Sequence, residues 1–177
     1  MSLFNSERCF GEESRGAIIV ELVIAAPLLV VLFLMSSEYV RALQVQQAMA
    51  VISKEAANGT FRDCIELDNL DECIQYEFSQ VSTAAQAAVP GIELLLSVYT
   101  YEDDPVKGPT VSQALYPPTG ITASGKASRY SLATFSTTQL AFMQRQGKIA
   151  IAEVYYTFSP ILEQTPIVTD FYDAAIY

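Results

Sequence analysis

The sequence predicts an α+β fold, with one long N-terminal helix, a second helix and a small antiparallel sheet. Three observations carry that expectation. An apolar run at 17–35 passes without a break into an amphipathic seam that reaches residue 56. A second stretch, 70–88, repeats apolar residues at helical spacing. Two segments, 92–101 and 148–158, concentrate β-branched, aliphatic and aromatic residues as strands do. At 177 residues, the chain fits one domain with an appendage.

The first helix is the strongest element. From Ala17 to Met35 every residue is apolar except Glu21. As a helix this run spans about 28 Å, close to the hydrocarbon thickness of a bilayer. A cleaved secretory signal fits poorly, because the apolar core is too long and no small-x-small pattern follows it. Instead the chain continues as SSEYVRALQVQQAMAVISKEAANG. Ala42, Val45, Met49, Ile52 and Ala56 recur there at alternating spacings of three and four, a seam of coiled-coil type. Arg41, Gln44, Gln47 and Lys54 lie off that seam. Asn58-Gly59 supplies a left-handed stop. One helix is therefore expected over 17–57, about 60 Å long, with a lipid-facing first half and an amphipathic second half. Pro27, in the lipid-facing half, deletes one backbone hydrogen bond and is expected to kink it.

Residues 63–72, DCIELDNLDE, form an acidic connector into the second helix, with Asp68 or Asn69 as its cap. Leu70, Ile74, Phe78, Val81, Ala85 and Ala88 give that helix its apolar face, and Val-Pro-Gly at 89–91 ends it. IELLLSVYTY (92–101) reads as a strand, followed by EDDP and a Pro/Gly/Ser/Thr-rich loop at 102–128. SRYSLATF (128–135) reads as a short strand. STTQLAFMQRQG (136–147) reads as a short helix between a Ser cap and a terminal glycine. KIAIAEVYYTF (148–158) is a strand with Ala150, Ala152, Val154, Tyr156 and Phe158 on one face, and Glu153 is expected to be solvated on the other. The tail PIVTDFYDAAIY adds one more strand. The small strand faces suit packing against the helices.

Composition narrows the function. The formal net charge of -10 and the scattered Arg and Lys argue against nucleic-acid binding, since phosphates are repelled. The chain has no histidine, which removes the commonest general base and zinc ligand. The acidic connector lacks the ligand spacing and central glycine of an EF-hand, so it reads as a solvated face. GITASGKA (120–127) nearly matches a phosphate loop, but Ala127 stands where a hydroxyl must hold magnesium, and Pro117-Pro118 precedes it where a strand should end. Asn58-Gly59-Thr60 matches a glycosylation acceptor, but a helix stop explains it without further assumptions. No pair of carboxylates can be placed on facing elements for hydrolysis. The expectation is a protein without catalytic residues, cofactor or metal.

Three cysteines remain. If the apolar run crosses a membrane with its N-terminus inside, Cys9 stays in a reducing compartment while Cys64 and Cys73 meet an oxidising one and can pair. Two unpaired, partly buried thiols are the alternative.

Glu21 within the run needs a partner, or a position near the interface from which it snorkels into water. Arg15-Gly16 precedes the run, and Glu21 is the fifth residue after Gly16. A cut after Gly16 exposes an amine at Ala17, and the carboxylate of an adjacent subunit can neutralise that amine inside lipid. A hydrophilic leader ending in Arg-Gly, four apolar residues and then Glu resembles the processing pattern of type IV pilin-like proteins. Gly16, Glu21, Pro27, Glu38 and Arg41 together resemble, more specifically, the TadE/TadF-like minor pilins (pseudopilins) of the tight-adherence (Flp) pilus system. The resemblance covers roughly 15–45, and IAIAEVYYTFSP is less specifically similar to the closing strand of such proteins. Leu22 departs from the pattern, in which an aromatic residue often follows the glutamate. So does the acid-rich leader, with Glu7, Glu12 and Glu13.

The resemblance implies a leader at 1–16, cut at Arg15-Gly16/Ala17 by a prepilin peptidase. It implies a transmembrane assembly helix at 17–57 that packs on other pilin subunits, and an α+β domain at 58–177 outside the cytoplasm. The further partners it implies are the lipid bilayer and an inner-membrane assembly platform. The chain is then a single-pass protein of the inner membrane, incorporated into an extracellular pilus that it primes, caps or decorates in surface adherence. The alternative from another class is an unprocessed single-pass anchor displaying a binding or scaffold domain.

Overall fold

The computed structural model describes residues 10–67, 69–104, 108–131, 134–161 and 169–177. Its contacts divide the chain after Arg41, with most of α1 before that point in one unit and the body from Ala42 in another. Helix α1 spans Phe10–Cys64 and continues through Pro27.

The helix does not stop at Asn58-Gly59, as its sequence suggested, but runs five residues beyond Gly59. Gly59 keeps helical backbone angles, and the left-handed glycines lie elsewhere, at 91, 120, 125 and 147. Helical glycine costs about 1 kcal/mol relative to alanine. Burial downstream outweighs that cost. Thr60 and Cys64 are buried and Phe61 packs on the core, and one large apolar side chain is worth about 1.5–3 kcal/mol. The Asn-Gly-Thr triplet is thus helical, with its threonine 1% exposed. The expected seam is present, with Ala42, Met49 and Ala56 buried and Val45 and Ile52 packed beside them.

Helix α2 spans Leu70–Ala88. Asn69 is the N-cap residue, although its side chain makes no cap hydrogen bond, and Asp68 lies outside the described residues. Asp71 and Glu72 occupy the first turn, where the helix dipole favours anions. Ile74 and Ala85 are buried, and Leu70, Phe78 and Val81 pack on the core. Ala88 is exposed, and Val89 takes the last buried position before Gly91 turns the chain with φ +87°.

Cys64 and Cys73 form a disulfide with a Cα separation of 5.6 Å, joining the end of α1 to the first turn of α2. Beside it, the Lys148 ammonium donates to the carbonyl of Ile65. Replacing both cysteines with serine is expected to lower unfolding free energy by roughly 2–3 kcal/mol, mainly by releasing the unfolded chain. Denaturant titrations of the wild type and the double variant check this; identical midpoints would refute it.

Among the described residues four strands follow, in the antiparallel order β2-β1-β3-β4. Strand β1 spans Glu93–Asp104 and β2 spans Gly108–Tyr116, with Asp104 opposite Gly108. The segment expected to be one loop from 102 to 128 therefore holds the end of one strand and the whole of another. Its glycine and proline misled because β2 is an edge strand, where Gly108 and Pro109 at the start are tolerated. Ala114 and Tyr116 still reach the core, and the Tyr116 ring lies 4.7 Å from that of Phe78.

Helix α3 spans Thr137–Gln146 and matches expectation closely. Ser136 caps it, Gln139 completes a capping box, and Gly147 ends it with φ +77°. Strands β3 (Lys148–Thr157) and β4 (Asp170–Ile176) complete the sheet.

Leu94, Leu96, Val98, Ala150, Ala152, Val154 and Phe158 form one sheet face, packed with the body's part of α1 and with α2. The other face carries Tyr99, Ile149 and Ile151 under Phe135 and Met143. The expected strand at 128–135 is absent among the described residues. There the chain crosses the second face with its polar groups turned to side chains instead of a neighbouring strand.

Candidate functional site

Two regions concentrate the residues that can act. The first is α1 before Arg41. Every residue from Ile19 to Ser37 is exposed, including Leu22, Leu29 and Phe33 at 66%, 63% and 74%. This is one apolar helix long and hydrophobic enough to cross a membrane, with a mean hydropathy of 2.6. Such a segment is consistent with a membrane anchor or a signal. Glu21 is the one carboxylate on that exposed surface between Ile19 and Ser37.

Arg15, Gly16 and Ala17 all lie within α1. Ala17 and Glu21 are four residues apart, which puts them on one helix face separated by a single turn. After the apolar run, the hydroxyls of Ser36 and Ser37 donate back to the carbonyls of Leu32 and Leu34 at 2.8 Å, so the first polar residues satisfy themselves on their own helix. Arg41 then bridges to Glu38 at 3.2 Å.

The second region is in the body, around Glu153. This side chain was expected to be solvated, but it is 0% exposed. A buried carboxylate is tolerated only with its lone pairs occupied, and here they are. The Arg129 amide donates to Oε1 at 2.8 Å, and the Tyr155 and Tyr172 hydroxyls donate to it at 3.0 Å. The Ser128 hydroxyl donates to Oε2. The Arg129 guanidinium lies 3.9 Å over the Tyr172 ring, which adds a cation above the same cluster. Glu153 thereby pins the 128–130 segment to strands β3 and β4. Its one sequence signal was a charge inside an otherwise apolar strand. Apart from Tyr155, two residues along the same strand, the partners that explain it come from distant segments.

These contacts leave a pH signature. Burial, and then the Glu153 charge, push the Tyr155 and Tyr172 hydroxyls well above the usual tyrosine value. Burial also pushes Tyr99 up to about 12. Above about pH 10 the unfolded chain loses tyrosine protons that the folded chain retains, so stability falls as pH rises from there. Thermal unfolding between pH 9 and 11 is expected to show a steadily declining Tm. A flat profile would contradict the buried hydroxyls.

Other candidates resolve into structure. In GITASGKA the Ser124 amide donates to Glu93 at 2.8 Å, and Gly125 closes a turn onto Thr122, so a carboxylate occupies the loop's donor. Lys126 bridges to Asp170 at 3.2 Å, and no helix follows the loop directly. Among the described residues, no group of three or more acidic, Cys or His side chains is arranged to hold a metal. A trough of about 550 Å³ between the body's part of α1 and α2 is lined largely by Ala48, Val51, Ile52, Val81 and Ala84. Glu55 is its lone carboxylate, without a facing acid or base.

Of the residues singled out in the sequence, Cys64 and Cys73 meet in a bond, while Arg15, Gly16, Ala17, Glu21 and Pro27 follow one another along one helix.

Residues 16–58 match the family of TadE-like proteins. The matched segment starts at Gly16 and takes in Glu21, Pro27, Glu38, Arg41 and the seam to Ala56, so it falls entirely on α1. This match is consistent with a minor pilin of the TadE/TadF type, a structural protein. No curated protein and no solved structure matches the chain.

Proposed function

We propose that the protein is a minor pilin of a tight-adherence pilus and secretion machine. It acts by packing its first helix among those of other subunits. The observation that carries the reading is the coincidence of the TadE-like match with a helix that exposes an unbroken apolar surface around one carboxylate. A helix of that kind buries its surface in lipid before assembly and against neighbouring helices afterwards. The domain after the helix provides the part that primes, caps or decorates the filament in adherence.

In this reading a prepilin peptidase removes residues 1–16, and Ala17 becomes the new N-terminus. Glu21 then pairs with the amine of an adjacent subunit, because an unpartnered carboxylate in hydrocarbon is unfavourable by a few kcal/mol, about 2.5–3.5 on insertion scales. Pro27 bends the helix where neighbours can cover its freed carbonyl. The protein is single-pass in the inner membrane, with its C-terminal domain outside the cytoplasm and in reach of the assembly platform. The Cys64–Cys73 disulfide supports that orientation, since such bonds persist on the oxidising side.

Co-expression with the major pilin and peptidase tests the reading. The protein is expected in sheared filaments as well as in the membrane fraction. Its retention in the membrane alone, at full length, would favour an unprocessed anchor displaying its domain.

A further inference from the structure

The Gly16–Ala17 bond lies inside regular helix, because α1 runs unbroken from Phe10 to Cys64. In an α-helix the amides of residues 17–20 donate to the carbonyls of residues 13–16. The Gly16 carbonyl is therefore engaged by the helix and is not presented for attack. Hydrolysis there consumes one water: the C–N bond breaks, the leader leaves with a Gly16 carboxylate, and Ala17 departs as a free amine. The helix has to open locally before that step.

The two sides of the junction differ in how readily they open. Upstream, FGEESRG (10–16) carries Gly11 and Gly16, and each glycine weakens a helix about fivefold relative to alanine. The segment is largely polar, so its freed amides and carbonyls can bind water. Downstream, residues 19–35 are an exposed surface that is apolar except at Glu21. Backbone groups freed in hydrocarbon find no partner, so opening cannot spread that way. The junction stands at the last point where unwinding is easy.

We infer that residues 10–16 of α1 act as a latch over the cleavage junction, and that their helix propensity sets the rate of processing. This rests on the processing reading above and deepens it by naming what regulates the cut.

The test uses the full chain in membranes with the prepilin peptidase, following single-turnover cleavage of the wild type, Gly11→Ala, Glu12→Gly and the double variant. Gly11→Ala is expected to be cut about fivefold more slowly, and Glu12→Gly about two- to threefold faster. The double variant should return to within about twofold of the wild type. Amide hydrogen exchange at Ala17 and Ile18, measured without peptidase, should follow the same order. Equal cleavage rates despite shifted exchange would overturn the latch, as would altered rates with unchanged exchange, which would mean direct recognition by the enzyme. A wild-type chain left whole would instead overturn the processing reading, and the latch with it.

Discussion

Replacing Glu21 with alanine is expected to leave membrane insertion intact and to reduce incorporation into filaments about a hundredfold or more. The two halves of this result have one cause. A carboxylate in a spanning helix opposes insertion, so its removal can only help that step. In the assembled filament the same carboxylate would neutralise the Ala17 amine of a neighbour. Removing one member of a buried ion pair leaves the other charge uncompensated, at a cost of about 3–5 kcal/mol. Glu21→Gln should be as defective as Glu21→Ala, because it keeps shape and loses charge. Glu21→Asp should retain part of the function. Membrane fractionation and a pulldown with the major pilin separate the two steps. Equal recovery of wild type and Glu21→Ala in the pulldown would mean that the side chain only snorkels to the interface.

Glu153→Ala is expected to destabilise the body by about 3 kcal/mol or more. The substitution leaves the Ser128 and Tyr172 hydroxyls, the Tyr155 hydroxyl and the Arg129 amide without their shared acceptor. Each buried donor left unsatisfied costs about 1–3 kcal/mol, and part is recovered where water or another acceptor is near. The single proton of the Tyr155 hydroxyl can turn to the Ala127 carbonyl, 2.8 Å away, so this donor has an alternative acceptor. For a body of this size the loss corresponds to a Tm lower by roughly 10 °C. Glu153→Gln should lose less, since one amide oxygen still accepts and the Ser128 hydroxyl can rotate to accept from the amide nitrogen. A thermal scan checks both. A Glu153→Ala Tm within about 2 °C of wild type would refute a structural role for the cluster.

Legibility in this chain follows how local each cause is. The seam from Ala42 to Ala56 and the helix from Ser136 to Gly147 are set by residues within one or two turns of each other, and both were readable. The disulfide was readable because a spanning helix would separate Cys9 from Cys64 and Cys73 and leave those two together on the oxidising side, where they can pair. Helix α1 overran its apparent stop because Asn58-Gly59 is a local signal, whereas Thr60 and Cys64 are buried in the folded body and Cys64 is bonded to Cys73 of the next helix. Strand β2 was hidden by Gly108, Pro109 and its polar residues, since an edge strand draws its stability from pairing with β1. Glu153 stood out in the sequence as a charge among apolar residues. Its partners Ser128, Arg129 and Tyr172 lie 25, 24 and 19 residues away, beyond the reach of any local pattern. The candidate residues on α1 lie in one helix, where spacing along the sequence alone sets their relative positions.

In the proposed filament Glu21 faces an amine that exists only after the leader is gone. Mass spectrometry of the protein purified from cells containing the prepilin peptidase tests this most directly. A mature chain beginning at Ala17 is the expected result, whereas an intact Met1 terminus, or a cut at any other bond, would refute the pairing.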